Sequence, residues 1–586
     1  MRARQFPWKA VLLLWAAVSL FLIYVFGKMA VTQNFDDPDD FLRLQQIRDF
    51  IGGQSWFDLT QRRIAAPEGL PMHWSRLVDI PVLLFIVPLT PLVGAHMAEV
   101  VATIGAPLLN LLVLMIAIVA MTRRLVGHDV ATSLLSCLMA LSAPTVYLQI
   151  HPARIDHHGW QIVFAVLAIA ALLHPKARFS GIAAGVSLAL YINISIEGAP
   201  FVAAAVGVVG LLWAFGLERA GRLTSMIWTL ALASFAATAL TAPYYRWTEG
   251  LCDAVMPSHL VAMVVAAAGT ALAVRLGAKR GAWARVAMLG VVLLGAVAIF
   301  GAVAPLCLGS PFGQLDPVID KFWYQNVSEG MPFWRQDTLT AATMIAFPLI
   351  ASLGTVFGAM RTKSTEMQRR WLIMLALLLV TFVTGAMVRR AAGVTHVVAV
   401  PGALILIGLA IRWAEQRLPS VLRAVATAVA IMAIAPITPI FVVASIMPAP
   451  RVAPVPHGPV NACDSLCVLD RLAKQPAEAM LASIDLGPMV IARTPHSVYG
   501  TGYHRMATPL RETILFFESS SGDSEAFMRR KGFRRILVSP TSAEATLFIR
   551  KAPQGMMAQL VRGPLPDWLA EDPAGSPALR VYRIRD

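Results

Sequence analysis

The feature that most constrains this chain is a series of apolar segments, each near the length of a bilayer-spanning helix. A helix crossing the hydrocarbon core needs about 20 mostly apolar residues. Thirteen segments approach that requirement: 10–26, 98–121, 130–149, 159–173, 179–196, 199–216, 224–242, 259–274, 286–305, 340–359, 371–388, 394–411 and 424–446. An ordinary soluble domain has roughly 25% charged residues. Here 14% of the 586 residues are charged and 57% are hydrophobic. That excludes a soluble enzyme, a disordered chain and a disulfide scaffold. The fold class expected is a polytopic α-helical membrane protein with about 13 transmembrane helices. The stretch 80–94 is apolar too, but short and broken by Pro81, Pro88 and Pro91. If it crossed, Arg123 and Arg124 would be placed outside, so it reads as interfacial or re-entrant.

Charge sets the orientation. The start, MRARQFPWK, is basic, and no convincing cleavage site follows the first apolar run, so that run reads as a retained helix with its N-terminus inside. The loops then assigned to the cytoplasm hold 20 basic residues against four acids, Asp129, Glu218, Glu366 and Glu415. This is the asymmetry that positively charged cytoplasmic loops produce. It absorbs much of the net charge of +15 and leaves no case for nucleic-acid binding. Thirteen crossings place the C-terminus outside. The expected division is a membrane domain over 1–446, a Pro-rich linker over 447–459 and an extracytoplasmic α/β domain over 460–586. Its strand-like runs (AMLASIDLG, MVIART, RRILVS) alternate with helical stretches. Outer loops 28–98 and 304–338 carry most of the remaining polar chemistry. Cys463 and Cys467 stand four apart in the tail, where an oxidising compartment makes a local disulfide plausible.

The centres of the apolar segments hold almost no charge, whereas transporters usually carry ionisable residues there. The candidate chemistry lies at the outer face. Asp36, Asp37, Asp39 and Asp40 crowd into NFDDPDDFLRLQQIRDFIGG. Such carboxylates suit a hard divalent cation, and they equally suit the first turn of a helix. The loop HPARIDHHGW supplies Asp156, His157 and His158, a mixed oxygen and nitrogen donor set. Polar residues at a helix end would read the same way. Glu329 lies in DKFWYQNVSEGMPFWRQD among aromatics that also fit an interfacial belt. Arg389 and Arg390 break the charge trend at the outer end of a helix. Either an anion such as phosphate or snorkelling to headgroups accounts for them. Glu197, in ISIEGAP, is a further outer-face carboxylate.

Taken in order, these pieces resemble the catalytic subunit of oligosaccharyltransferase in its single-subunit bacterial and archaeal form, a member of the C-superfamily of membrane glycosyltransferases. Asp37 six residues before Arg43 is similar to that family's first motif. Asp156 and His158 fall on the ligand positions of its second. Glu329 in NVSEGMP fits its third, and Arg389 in MVRR matches a helix-end Arg that contacts donor phosphates. The chain departs from the family in the tail. Where the family has Trp-Trp-Asp-Tyr-Gly, the nearest counterpart is SIDLG, which keeps Asp485 and Gly487 and lacks both Trp residues. The cluster HSVYGTGYHR, with His496, Tyr503, His504 and Arg505, has no place in the family pattern; it fits an acceptor contact or a structural loop.

The resemblance implies a metal-dependent, inverting glycosyltransferase in a bacterial inner membrane, with its active site facing the periplasm. Its donor would be a sugar or oligosaccharide on a polyprenyl phosphate or diphosphate. Asp37, Asp156 and His158 would hold Mg²⁺ or Mn²⁺, and Asp37, Asp156 and Glu329 would carry the catalysis. Arg389 and Arg390 would bind the donor phosphate, and Asp485, His504 and Arg505 the acceptor. Asp36, His157 and Glu197 are further candidates. The acceptor is protein, or a glycolipid or surface polysaccharide, which the missing Trp pair favours. A transporter or flippase of lipid-linked sugar is the rival from another class.

Overall fold

A computed structural model describes residues 5–250, 252–309, 312, 315–447 and 463–585. They group into two compact units, one within Met1–Thr32, Trp74–Pro311 and Ser328–Ala449, the other within Gln33–His73, Phe312–Val327 and Pro450–Asp586. The expected linker lies, from residue 448 onward, outside the described residues.

The first unit is helical. Among the described residues, ten of its helices are long and apolar enough to cross a membrane, and a bent pair raises the number to 11. Two more expected spans are apolar but short, Val130–Leu141 and His158–Leu172. The segment expected at 130–149 stops early because Ala143 is extended, φ −82° and ψ 120°, ahead of Pro144. A proline disfavours the helical region for the residue before it. The same cause divides the expected span 424–446. Ala435 is extended before Pro436, and the helices Ser420–Ile434 and Thr438–Ile446 meet at 80°. The stretch 80–94 forms the helix Asp79–Val93, with Pro88 and Pro91 inside it.

Small residues let these helices close. A Cβ on Gly354 would lie 2.0 Å from the Gly402 carbonyl oxygen, and one on Gly402 would lie 2.1 Å from that of Ala351. Helices Thr338–Arg361 and Ala392–Arg417 therefore touch backbone to backbone, as small-residue interfaces in membranes do.

The second unit is built on a five-stranded mixed sheet. Its order is Ser497–Val498, Ala479–Ala482, Arg535–Val538, Arg580–Ile584, Leu569–Glu571, with the first three strands parallel and the last two antiparallel to their neighbours. Leu481, Ile536, Phe517, Phe548 and Tyr582 fill its core. Residues 33–73 belong to this unit and extend the sheet edge. Ala65 donates its backbone N–H to Val498 O at 2.9 Å, and Val498 donates to Arg63 O at 2.9 Å.

The chain has two disulfides. Cys463–Cys467 forms, and Cys252 pairs with Cys307, 55 residues later.

Candidate active site

In the first unit, the loop before helix His158–Leu172 folds so that Asp156 and His158 face each other. The helix begins directly on the second histidine. The residue after it must be glycine, because a Cβ on Gly159 would sit 2.6 Å from the Gln149 carbonyl oxygen. The histidine ring is 3% exposed, and its Nε2 stands 3.4 Å from Asp156 Oδ2 and 3.8 Å from Glu329 Oε2. Its Nδ1 bonds Gln161 Oε1 at 2.8 Å. With that oxygen accepting, Nδ1 carries a proton and Nε2 is left facing the carboxylates, donating to Asp156 when protonated and able to ligate when not. This is the way an outer partner fixes the tautomer of a ligating histidine.

Asp156 is buried, and burial alone would raise its carboxyl. The His157 and His158 imidazoles, with Arg154 beyond them, instead hold it well below the usual carboxylate range. His157 Nδ1 lies 2.5 Å from Asp156 Oδ1, and Arg154 Nη2 lies 3.9 Å from Oδ2. The position just before a helix adds to this, since a helix N-terminus favours negative charge.

The donor set fits a divalent cation. Metal–oxygen distances of about 2.1 Å place neighbouring donors about 3 Å apart, and the spacings here are within a few tenths of an ångström to an ångström of that. The ligand atoms of Asp156, His157 and His158 lie within 4.8 Å of one another.

Glu329 is half-buried in a short 3-10 turn, Ser328–Gly330. Beside it, Arg389 Nη1 stands 3.4 Å from Ser328 Oγ. The Ser328–Glu329 pair thus links the histidine cluster to the outer-end arginine. Arg390 is engaged differently, in an ion pair with Glu197.

The second unit holds the other candidates. Asp37 caps helix Pro38–Ile51, its Oδ1 accepting the Asp39 N–H at 2.9 Å. The capping reading of this acidic run is therefore realised at Asp37, a role worth about 1 kcal/mol. Asp36 is exposed. Tyr503 donates its hydroxyl to Asp39 Oδ1 at 2.7 Å, so the HSVYGTGYHR cluster folds onto the acidic run. His504 packs against Phe312 at 5.1 Å and His73 at 5.2 Å between ring centres. Arg505 is half-buried, while His496 donates its Nε2–H to Leu472 O and accepts the Glu478 N–H at Nδ1, serving the sheet edge. Asp485 keeps solvent access. The protein packed around its carboxyl and, second, the Asp37 carboxylate push it up to about 6.

Two residues at these sites escaped the sequence reading. Gln161 was legible in principle, being three positions after His158 on one helix face. Glu544 contacts Asp485 from 59 residues away and had no local signal.

No protein-family model matches the chain, and no curated protein matches it in sequence. Solved structures do match. The archaeal oligosaccharyltransferase AglB of Archaeoglobus fulgidus, in complex with an inhibitory peptide and a dolichol-phosphate, is 15% identical with a TM-score of 0.62, over 96% of this chain and 74% of that one. The apo Archaeoglobus fulgidus enzyme is 14% identical with a TM-score of 0.67, over 95% and 72%. Its complex with Zn and sulfate is 15% identical with a TM-score of 0.63, over 93% and 70%. The chain is a multi-pass helical protein with the fold of an archaeal oligosaccharyltransferase.

Proposed function

We propose that this chain is a membrane glycosyltransferase that moves a sugar or oligosaccharide from a polyprenyl phosphate or diphosphate to an acceptor at the periplasmic face of a bacterial inner membrane. The observation that carries this reading is the approach of Asp156, His158 and Glu329 in a chain of this fold. The fold relatives add a lipid phosphate and a peptide ligand in one complex, and zinc with sulfate in another.

Asp156 and His158 would hold a divalent cation, Mg²⁺ or Mn²⁺, and the resemblance adds Asp37 as a third ligand. When bound, the cation would neutralise charge on the departing phosphate. Gln161 keeps the His158 lone pair directed outward. Arg389 offers a fixed positive charge to the same phosphate, where preorganised charge is most effective. Glu329 orients the acceptor and takes its proton as it attacks. Displacement occurs at the anomeric carbon in one step, which inverts it. Asp485, with His504 and Arg505, contacts the acceptor.

The acceptor we favour is a glycolipid or surface polysaccharide, because SIDLG lacks the Trp pair of the family's protein-reading motif. Glycan and glycoprotein profiling of deletion cells separates the two: altered envelope glycans support this choice, and altered glycoproteins overturn it. For the enzyme assignment, purified Asp37→Ala is assayed with a polyprenyl-phosphate-linked sugar. Loss of transfer is expected; full transfer removes Asp37 from the machinery. Vesicles in which the wild-type protein moves the labelled lipid with its glycosyl bond intact would favour a flippase instead.

A further inference from the structure

One buried acid in the second unit has no part in the chemistry above. Glu544 sits in the first turn of helix Ala543–Lys551, in a chain position whose own cap, Ser542, already bonds the Ala545 N–H at 3.0 Å. Its carboxyl is therefore not needed for capping. It is 8% exposed and reaches across to another segment. Oε1 accepts the Ile484 N–H at 2.7 Å, and Oε2 accepts the Asp485 N–H at 3.2 Å. Ser483, the residue before them, is buried as well.

Two consecutive residues of one turn are thus held by one side chain. The turn joins strand Ala479–Ala482 to helix Gly487–Arg493. Ser483 precedes the 3-10 turn Ile484–Leu486, where a serine commonly caps with its own hydroxyl. Here it makes no side-chain cap bond, and Glu544 takes the turn's N–H groups instead. The opposite side of the turn is equally confined. A Cβ on Gly487 would lie 2.5 Å from Thr501 Cγ2, and one on Gly502 would lie 3.6 Å from Asp485 Oδ1 and 3.0 Å from Trp323 Nε1. The residue at the centre of this clamp is Asp485, whose carboxylate keeps solvent access while its backbone is fixed.

We propose that Glu544 is a positioning residue for acceptor recognition: by gripping the N–H groups of Ile484 and Asp485 it fixes where the Asp485 carboxylate points. This rests on the reading of Asp485 as an acceptor contact. Glu544→Gln keeps the size but replaces one accepting oxygen with an amide nitrogen, which cannot accept an N–H. The turn then loses one of its bonds and loosens without leaving the sheet.

The test uses the purified full-length protein, a polyprenyl-phosphate-linked sugar as donor, and envelope membranes of a deletion strain as acceptor, titrated over concentration. For Glu544→Gln, half-saturating acceptor is expected to rise about tenfold, while the rate at saturating acceptor and the donor KM change less than about twofold. Asp485→Asn is expected to raise half-saturation as well, and the double variant to be no worse than Asp485→Asn alone, since both act through one carboxylate. If Asp485→Asn raises half-saturation and Glu544→Gln does not, the positioning role is overturned. If Asp485→Asn itself changes nothing, the acceptor reading of Asp485 fails, and the positioning role with it. Should Glu544→Gln unfold, Glu544→Asp, which keeps the carboxylate but draws it back from the Ile484 and Asp485 N–H groups, is measured in the same way. A rise of about twofold to threefold supports the clamp; an unchanged value overturns it.

Discussion

The two units use the same residue types to opposite electrostatic ends. In the first, one buried carboxylate, Asp156, is surrounded by imidazoles and a guanidinium and is held well below the carboxylate range. In the second, carboxylates face each other. Burial, and then Asp485, push Glu544 up to about 8, and Asp485 stands near 6. Asp156 is therefore favoured as the anion with a histidine nitrogen beside it, a mixed oxygen and nitrogen donor pair that suits a cation. Glu544 keeps its proton near neutrality, while Asp485, raised less, is mostly ionised there, so a protonated and an ionised carboxyl stand side by side. A cluster of acids in a sequence does not distinguish these outcomes. Which bases fold against it does.

The largest expected effect falls on the first unit. Glu329→Gln keeps shape but removes the base, and transfer should fall about a hundredfold or more, read as the rate at saturating donor and acceptor. A fall of less than about threefold would remove Glu329 from proton transfer and break the link between the cluster and the acceptor. Next is Gln161→Leu, which frees the His158 tautomer. Affinity for Mn²⁺, measured by calorimetry, should weaken about tenfold, with the protein otherwise folded; unchanged affinity would leave His158 without an orienting partner.

The smallest effect is thermodynamic and belongs to the second unit. Glu544 has its folded value raised from 4.5 to about 8, so the unfolded chain releases that proton first. Between those values the folded state binds more protons, and stability falls as pH rises. Thermal unfolding of the full-length protein should show this slope from about pH 4.5 to 8, and Glu544→Gln should flatten it. A variant with the wild-type slope would mean that Glu544 is ionised in the fold.

Much of the architecture was legible because a bilayer imposes length and apolarity on each crossing. The limits of that reading are local. Hydropathy ran through Pro144 and Pro436, whereas the backbone before each proline is extended and ends the helix. The DHH loop was legible as a donor set because its residues are adjacent and its helix start is fixed by Gly159. The acidic run was ambiguous for a physical reason: capping and cation binding ask for the same carboxylate, and Asp37 does cap its helix. The Cys252–Cys307 pairing and the grip of Glu544 on Ile484 and Asp485 join segments tens of residues apart, which no periodicity encodes.

The most direct test of the account is sugar transfer by chelator-treated protein, with Mn²⁺ added back, for the wild type and Asp156→Ala side by side. The account predicts that chelation abolishes wild-type transfer, that Mn²⁺ restores it, and that Asp156→Ala stays inactive throughout. Transfer that survives chelation in the wild type and persists at full rate in Asp156→Ala would contradict it.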